Sequence, residues 1–372
     1  MVELLRKIKK FLRENKVLKN IFKTNFDKTV LISYTVLPFF NKKETHTNNA
    51  ESKIIVRIFN ELNYNVDVIQ YTNQKKINYK KYDLIFGFGE PFENSFLDID
   101  IKRIYYATGA HVCHQNHAEI KRIEDVNIKY NSSLLPKRLV PWNWSMSTSL
   151  SDALIVIGND WTKSTYTKYT NRDVYSINAT ALINDNVQNI KRDIDKTKKN
   201  FLWFGSGGLV HKGLDLCLEY FSKHQDLTLH ICGPMENEFN EAFAGYFEKK
   251  NIVYHGFTDV QSQKFIDTIS QCSFSILPTC SEGQSTSLLT AMGAGLIPIA
   301  TNYSGIDIVK HGILIDELDL ESLDNSVKQA SKFGNENLSE FSNEIQNYIF
   351  KNHTLAEFRI NMKSTLSSFL ND

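Results

Sequence analysis

Residues 273–300 read SFSILPTCSEGQSTSLLTAMGAGLIPIA, and this stretch decides the fold. Residues 273–277 form a short, mostly apolar run of strand length. A polar loop, 278–287, follows it. Residues 288–294 then read as a helix, and 296–300 as a second apolar strand. A strand that returns as a strand after an intervening helix makes a parallel pair, the unit of a doubly wound sheet.

The same alternation extends in both directions. Downstream, 312–315 is one more strand. Upstream lie runs at 201–204, 227–232 and 252–254, separated by helical or loop segments. Residues 184–200 are polar and charged and read as a linker. Before them a first series runs through 30–34, 66–70, 84–88, 104–107, 153–158 and 174–177, with a helix over about 50–62. The expected architecture is α/β, two doubly wound parallel sheets facing a central cleft. The expected division is a basic amphipathic helix over 1–28, an amino-terminal domain over 29–183, a linker over 184–200 and a carboxyl-terminal domain over 201–352. A terminal helix over 353–372 returns, on this expectation, to the first domain.

Composition bounds the function. The chain has 372 residues, with 43 Lys+Arg against 42 Asp+Glu and a net charge of +1, which excludes a generally basic nucleic-acid coat. Its five cysteines, none in a CxxC pair, support neither a disulfide framework nor a zinc knuckle and suit a reducing cytoplasm. No apolar run is long enough to span a bilayer. Charge is concentrated at the amino terminus: residues 1–28 carry +6, leaving −5 on the rest. Leu4, Leu5, Ile8, Phe11, Leu12, Leu18, Ile21 and Phe22 recur there at helical spacing. Such a helix docks its apolar stripe on the protein's own body or lies on an anionic membrane surface.

In doubly wound sheets ligands bind beyond the carboxyl ends of the strands. Three loops of the second half have suitable chemistry. After strand 201–204 comes Gly205-Ser206-Gly207-Gly208-Leu209-Val210-His211-Lys212-Gly213, whose glycines let the backbone approach an anion beside the charge of Lys212. It matches neither the P-loop nor the dinucleotide fingerprint, and a tight strand-to-helix turn is the simpler account. After strand 273–277, Ser285, Thr286 and Ser287 open a helix, which either binds phosphate or is merely capped. Glu282 precedes it, placed to accept hydrogen bonds from sugar hydroxyls. Gly256-Phe257-Thr258-Asp259 is a plain turn or a contact to a nucleobase edge.

Residues 201–315 resemble the carboxyl domain of GT-B glycosyltransferases of family 4, the retaining nucleotide-sugar enzymes. The resemblance is carried by Gly205…Lys212-Gly213-Leu214-Asp215, Leu229-His230-Ile231-Cys232-Gly233, Val253-Tyr254-His255-Gly256-Phe257, Ile276-Leu277-Pro278-Thr279-Cys280-Ser281-Glu282-Gly283, Ala291-Met292-Gly293-Ala294-Gly295 and Pro298-Ile299-Ala300-Thr301. Residues 151–180 resemble the end of the family's amino domain. The resemblance implies a GT-B fold of two Rossmann-like domains, a nucleotide-sugar co-substrate, no cofactor and no metal. Lys212 then holds donor phosphates, the backbone at Ser285, Thr286 and Ser287 cradles the distal phosphate, and Glu282 contacts the transferred sugar. Gly207, Gly208, Gly233, Phe257, Thr258 and Gln284 complete the donor side. Two positions depart from the pattern: Thr290 stands where a second glutamate holds the ribose, and Gly207 where an arginine precedes the lysine.

The first half is expected to supply the acceptor face. His111 follows a strand end and is the expected catalytic neighbour of the sugar, with His114 or His117 as alternatives. His46, Asn48, Asn49 and His114 are expected to line the acceptor side. The expected function is retaining transfer of a sugar from a nucleotide-activated donor to a glycan or lipid-linked glycan. It belongs to surface polysaccharide or glycoconjugate synthesis, in the cytoplasm at the inner face of the plasma membrane. A non-catalytic GT-B partner or glycan-binding protein is the alternative, and no nucleic-acid partner is expected.

Overall fold

The computed structural model describes residues 13–40, 47–97, 101–184, 186–187, 190 and 192–371. Among the described residues, twelve strands form two six-stranded sheets. The first contains β1 (Lys28–Tyr34), β2 (Tyr64–Gln70), β3 (Leu84–Gly87), β4 (Lys102–Ala107), β5 (Ala153–Ile157) and β6 (Val174–Ile177), in the order β2-β1-β3-β4-β5-β6. The second contains β7 (Asn200–Phe204), β8 (Thr228–Cys232), β9 (Ile252–Gly256), β10 (Phe274–Leu277), β11 (Ile297–Ala300) and β12 (Ile313–Leu314), in the order β12-β11-β10-β7-β8-β9. Every pairing between these strands is parallel. Parallel strands covered on both faces read as continuous apolar runs, which is why each expected strand is found.

The chain divides into two compact units: Met1–Val112 with Pro141–Thr180 and Leu355–Asp372, and Cys113–Val140 with Ala181–Thr354. In the first unit the core gathers Leu31, Ile69, Ile85, Tyr105, Leu154 and Val156. The helix Leu355–Asn371 belongs to this unit, and Arg359 and Lys363 each pair with Glu61 at 2.9 Å. In the second unit Phe201 stacks on Phe274 across the paired strands β7 and β10, with ring centroids 5.2 Å apart.

Two expected segments differ. Of the basic helix expected over 1–28, residues 1–12 lie outside the described residues, and Lys16–Lys28 is not helical. This segment runs along the edge strand β2 instead. Leu18 exchanges hydrogen bonds with Val68 (2.9 and 2.8 Å), and Ile21 N–H donates to Val66 O at 3.0 Å. An edge strand presents unpaired backbone groups, and covering them outweighs the helical pattern. The expected linker 184–200 is packed on the second unit: Val187 joins its core, and Arg192 donates to Cys272 O (2.9 Å) and Ala294 O (2.6 Å).

The range expected for the first domain, 29–183, includes the helix Val112–Tyr130. From Cys113 onward it belongs to the second unit, because its polar face is tied to the helix Leu214–Lys223. Arg122 pairs with Asp215 at 2.7 Å in a buried contact, and Lys129 pairs with Glu219 at 2.5 Å.

Candidate active site

The order of the second sheet reverses between β7 and β10, with β8 and β9 on one side and β11 and β12 on the other. The loops that follow β7 and β10 therefore straddle the switch point, where doubly wound sheets open a crevice for ligands. Topology thus brings together the loops 205–213 and 278–287.

The first loop is tightly wound. Lys212 N–H donates to Gly208 O at 3.0 Å, and the Trp203 indole donates to Lys212 O at 3.1 Å. Gly208 and Gly213 adopt φ of +84° and +68°. At Gly213 a Cβ would collide with Pro278 O, so glycine is required for the two loops to touch. Gly208 N–H donates to Glu236 Oε1 at 2.5 Å, so a carboxylate oxygen already sits on the glycine loop.

Lys212 forms an ion pair with Glu282 Oε1, and Arg138 Nη2 lies 3.8 Å from Glu282 Oε2. Burial alone would raise the Glu282 carboxyl. The charges of Lys212, Arg138 and His211 outweigh that cost and hold it at about 2. Its backbone is fixed as well, since Glu282 N–H donates to Tyr303 O at 2.8 Å.

Behind this pair lies a buried node. His211 Nδ1 bonds Glu119 Oε2 at 2.7 Å, and its Nε2 donates to Ser281 O. Glu119 Oε1 accepts from Lys137 N–H (2.7 Å) and Arg138 N–H (3.0 Å). Cys280 Sγ lies 3.3 Å from His211 Nδ1. Among the described residues, Glu119, His211 and Cys280 are the group that could offer three ligand atoms to a metal. In this structure His211 Nδ1 and Glu119 Oε2, 2.7 Å apart, form a hydrogen-bonded pair.

Several expected donor residues are engaged in structure. Ser285 is the N-cap of the helix Thr286–Gly293, accepting from Leu288 N–H. The amides of Thr286 and Ser287 precede the first intrahelical bond, Leu289 N–H to Ser285 O at 3.0 Å, and are the orphan donors of the helix start. Gln284 is buried and donates to Gly305 O at 3.1 Å. Thr290, expected at the ribose, donates to Thr286 O (2.7 Å) and accepts from Leu182 N–H (3.1 Å), so its hydroxyl is committed. Thr258 is buried and closes the turn after β9 by donating to Gly256 O at 3.1 Å. Phe257 beside it is 75% exposed, and Gly233 N–H donates to Gly256 O at 3.0 Å.

In the first unit, Asn48 and Asn49 open the helix Thr47–Glu61 and are half-buried, while His46 lies outside the described residues. His111 corrects an expectation. Its ring is 1% exposed, stacked on Tyr169 at 4.0 Å and edge-on to Tyr166 at 5.4 Å. The turn after β4 folds it against the helix Asp160–Thr167, where Thr165 Oγ1 accepts its N–H at 3.0 Å. In this structure it packs against Tyr166 and Tyr169. His114 belongs to the second unit, with its ring 6.2 Å from that of Tyr303, whose carbonyl holds Glu282. His117 is exposed.

Sequence reading missed Arg138, Glu119 and Glu236. No local motif marks them, since each meets the glycine loop or Glu282 only through the tertiary fold.

Residues 198–332 match the protein family described as glycosyl transferases group 1. No curated protein matches the chain in sequence. Among solved structures it is similar to sucrose-phosphate synthase from Thermosynechococcus elongatus, with a TM-score of 0.65, 10% identity, and coverage of 92% of this chain and 100% of that one. It is also similar to WaaG, a glycosyltransferase involved in lipopolysaccharide biosynthesis (TM-score 0.57, 11% identity, 90% and 98% coverage). A third is HepE of Anabaena, solved with UDP and glucose (TM-score 0.56, 12% identity, 92% and 100% coverage). The chain therefore has the GT-B fold, and its segment 198–332 carries the sequence pattern of group 1 glycosyl transferases.

Proposed function

We propose that this chain is a retaining glycosyltransferase that needs neither metal nor cofactor. It moves a sugar from a nucleotide-activated donor to a glycan or lipid-linked glycan, in surface polysaccharide or glycoconjugate synthesis. The observation that carries this is the Lys212–Glu282 pair, set beside the glycine loop at the switch point of the second sheet.

In this mechanism the leaving phosphate is stabilised by Lys212 and by the amides at Thr286 and Ser287, as fixed charge and dipole awaiting the transition state. Glu282 accepts hydrogen bonds from the sugar and does not transfer a proton, consistent with a carboxyl held at about 2. In this reading Phe257, exposed on the turn after β9, meets the nucleobase. Leaving-group departure and acceptor attack occur on one sugar face. With His111 buried, the catalytic neighbour is His114. The Anabaena structure holds UDP and glucose, so a UDP-hexose is the donor to try first.

Among the described residues, no helix is long and apolar enough to cross a membrane. The proposed site of action is the inner face of the plasma membrane, reached through the basic amino terminus. A second possibility, a non-catalytic GT-B partner or glycan-binding protein, is favoured by the committed hydroxyl of Thr290.

The deciding experiment incubates the full chain with UDP-glucose, UDP-galactose and UDP-N-acetylglucosamine, and with GDP- and dTDP-sugars, with and without EDTA. Nucleotide release that EDTA leaves unchanged and that Glu282→Gln abolishes supports a metal-independent transferase. Nucleotide binding with no turnover on any donor supports the non-catalytic alternative. Binding of none removes the donor site altogether.

A further inference from the structure

The glycine loop and Glu282 present a charge balance that one lysine does not meet. A nucleoside diphosphate brings at least two negative charges. Lys212 is already neutralised by Glu282, and both are buried. A second cation is needed before an anion gains from entering.

Arg138 is in place to supply it. Its aliphatic stem lies on the glycine loop: a Cβ added at Gly208 would stand 2.5 Å from Arg138 Cγ and 2.9 Å from Cδ. Its Nη2 lies 3.8 Å from Glu282 Oε2, and its side chain is 37% exposed, so the guanidinium has room to turn toward a ligand. Its backbone is clamped on both sides. Glu119 Oε1 accepts Arg138 N–H at 3.0 Å, and Arg138 O accepts from Gln115 Nε2 at 3.0 Å. The carboxyl of Glu119 that holds Arg138 also binds His211, the neighbour of Lys212. On the same loop Gly208 N–H donates to Glu236 Oε1 at 2.5 Å, so this amide takes a carboxylate oxygen.

We propose that Arg138 and Lys212 together form a two-cation clamp for the diphosphate of the donor, with Arg138 reaching the glycine loop from a segment some seventy residues upstream. This rests on the donor-site reading above. Arginine suits the task because its planar fork can bind two phosphate oxygens at once. The clamp also gives the glycine at 208 a reason, since any side chain there would displace the arginine stem.

The test is calorimetric binding of UDP and UMP to the full chain and to four variants: Lys212→Ala, Arg138→Ala, Arg138→Lys, and Arg138→Ala combined with Gly207→Arg. Arg138→Ala is expected to raise the Kd for UDP at least ~10-fold, the scale of a lost charge-assisted contact, and that for UMP much less. Arg138→Lys should fall between parent and alanine. Gly207 has no positive φ, and a Cβ there meets only Glu236 Oε1, at 3.4 Å, so a side chain can start from 207 without a backbone clash. The guanidinium of an arginine there should restore UDP binding to within ~3-fold of the parent. Both backbone clamps survive alanine at 138, and thermal unfolding checks each variant.

A UDP affinity for Arg138→Ala within twofold of the parent, with affinity lost in Lys212→Ala, overturns the clamp and leaves the donor site standing. Equal loss of UDP and UMP binding in Arg138→Ala, unrepaired by arginine at 207, also overturns it. If the parent binds UDP, GDP, ADP and dTDP not at all, the donor site and the clamp fall together.

Discussion

Lys212 and Glu282 stand 70 residues apart in the chain and form one buried ion pair, their side chains 5% and 10% exposed. Each sits on the loop after a strand at the switch point, so the pair exists only because β7 and β10 are neighbours. A buried pair of this kind couples stability to function, because removing one partner strands the other in a low dielectric.

Glu282→Gln separates the two roles. It removes a negative charge between two cations, so UDP should bind as tightly as before or more tightly. Turnover should fall at least ~100-fold, because the sugar loses a charged hydrogen-bond acceptor. The check is a comparison of kcat with the calorimetric Kd for UDP. A parallel loss of both would place Glu282 on the nucleotide.

Lys212→Ala should weaken UDP binding by about 1.5–3 kcal/mol. It should also destabilise the fold by up to about 3–5 kcal/mol, because Glu282 keeps only the more distant Arg138 and a long contact from the Thr279 hydroxyl. Urea unfolding and UDP titration of the same preparations measure the two effects. A variant that unfolds like the parent would mean the pair is not buried in solution.

The pH dependence has a definite sign. The folded Glu282 carboxyl is held at about 2, below its ordinary 4.5, so its pairing stabilises the native state above about 4.5. That contribution is lost progressively as pH falls from about 4.5 toward about 2. Glu119, also lowered because His211 and the amides of Lys137 and Arg138 outweigh its burial, acts in the same direction. Urea midpoints at pH 6, 4 and 3 should drop more steeply for the parent than for Glu282→Gln. Parallel curves would show that Glu282 is not the group responsible.

The strands were legible because buried parallel strands are continuous apolar runs, and the loops 205–213 and 278–287 because glycine, lysine and hydroxyl residues cluster locally. Arg138 and Glu119 were not, since the site residues they meet, His211, Gly208 and Glu282, lie 70 or more residues away and no spacing rule connects them. His111 misled for a physical reason: a histidine after a strand end is commonly at the mouth of a sheet, but here the turn buries its ring under Tyr169. The segment 16–28 misled because apolar residues at helical spacing can equally serve a strand edge.

The histidines give a further prediction. His111→Ala should cost about 1–3 kcal/mol through the lost ring packing and leave kcat close to the parent's. His114→Ala should leave stability nearly unchanged and lower kcat at least ~10-fold, since the role matters most as charge develops. Steady-state rates and thermal unfolding of both variants decide. A fall in kcat with His111→Ala and none with His114→Ala would reverse the assignment.

Membrane attraction is expected to come from the start of the chain. Residues 1–28 carry +6, but Leu18 and Ile21 are hydrogen-bonded along β2 and cannot leave it without exposing that edge. Outside the described residues, the stretch 1–12 holds Arg6, Lys7, Lys9 and Lys10 against Glu3, together with Leu4, Leu5, Ile8, Phe11 and Leu12. Each cation near an anionic surface contributes about 1 kcal/mol, so four of them with a few apolar anchors suffice for reversible binding. The attraction should weaken with salt, which screens it beyond about 10 Å at 0.1 M. Co-sedimentation with vesicles containing phosphatidylglycerol, and with neutral phosphatidylcholine vesicles, is to be compared for the full chain and for a chain beginning at Arg13. That starting point keeps the β2 edge covered, so a loss of binding cannot be blamed on a damaged sheet. Full-length binding to the anionic vesicles that falls at least ~10-fold on truncation is the expected result, and binding that survives truncation would reject the role.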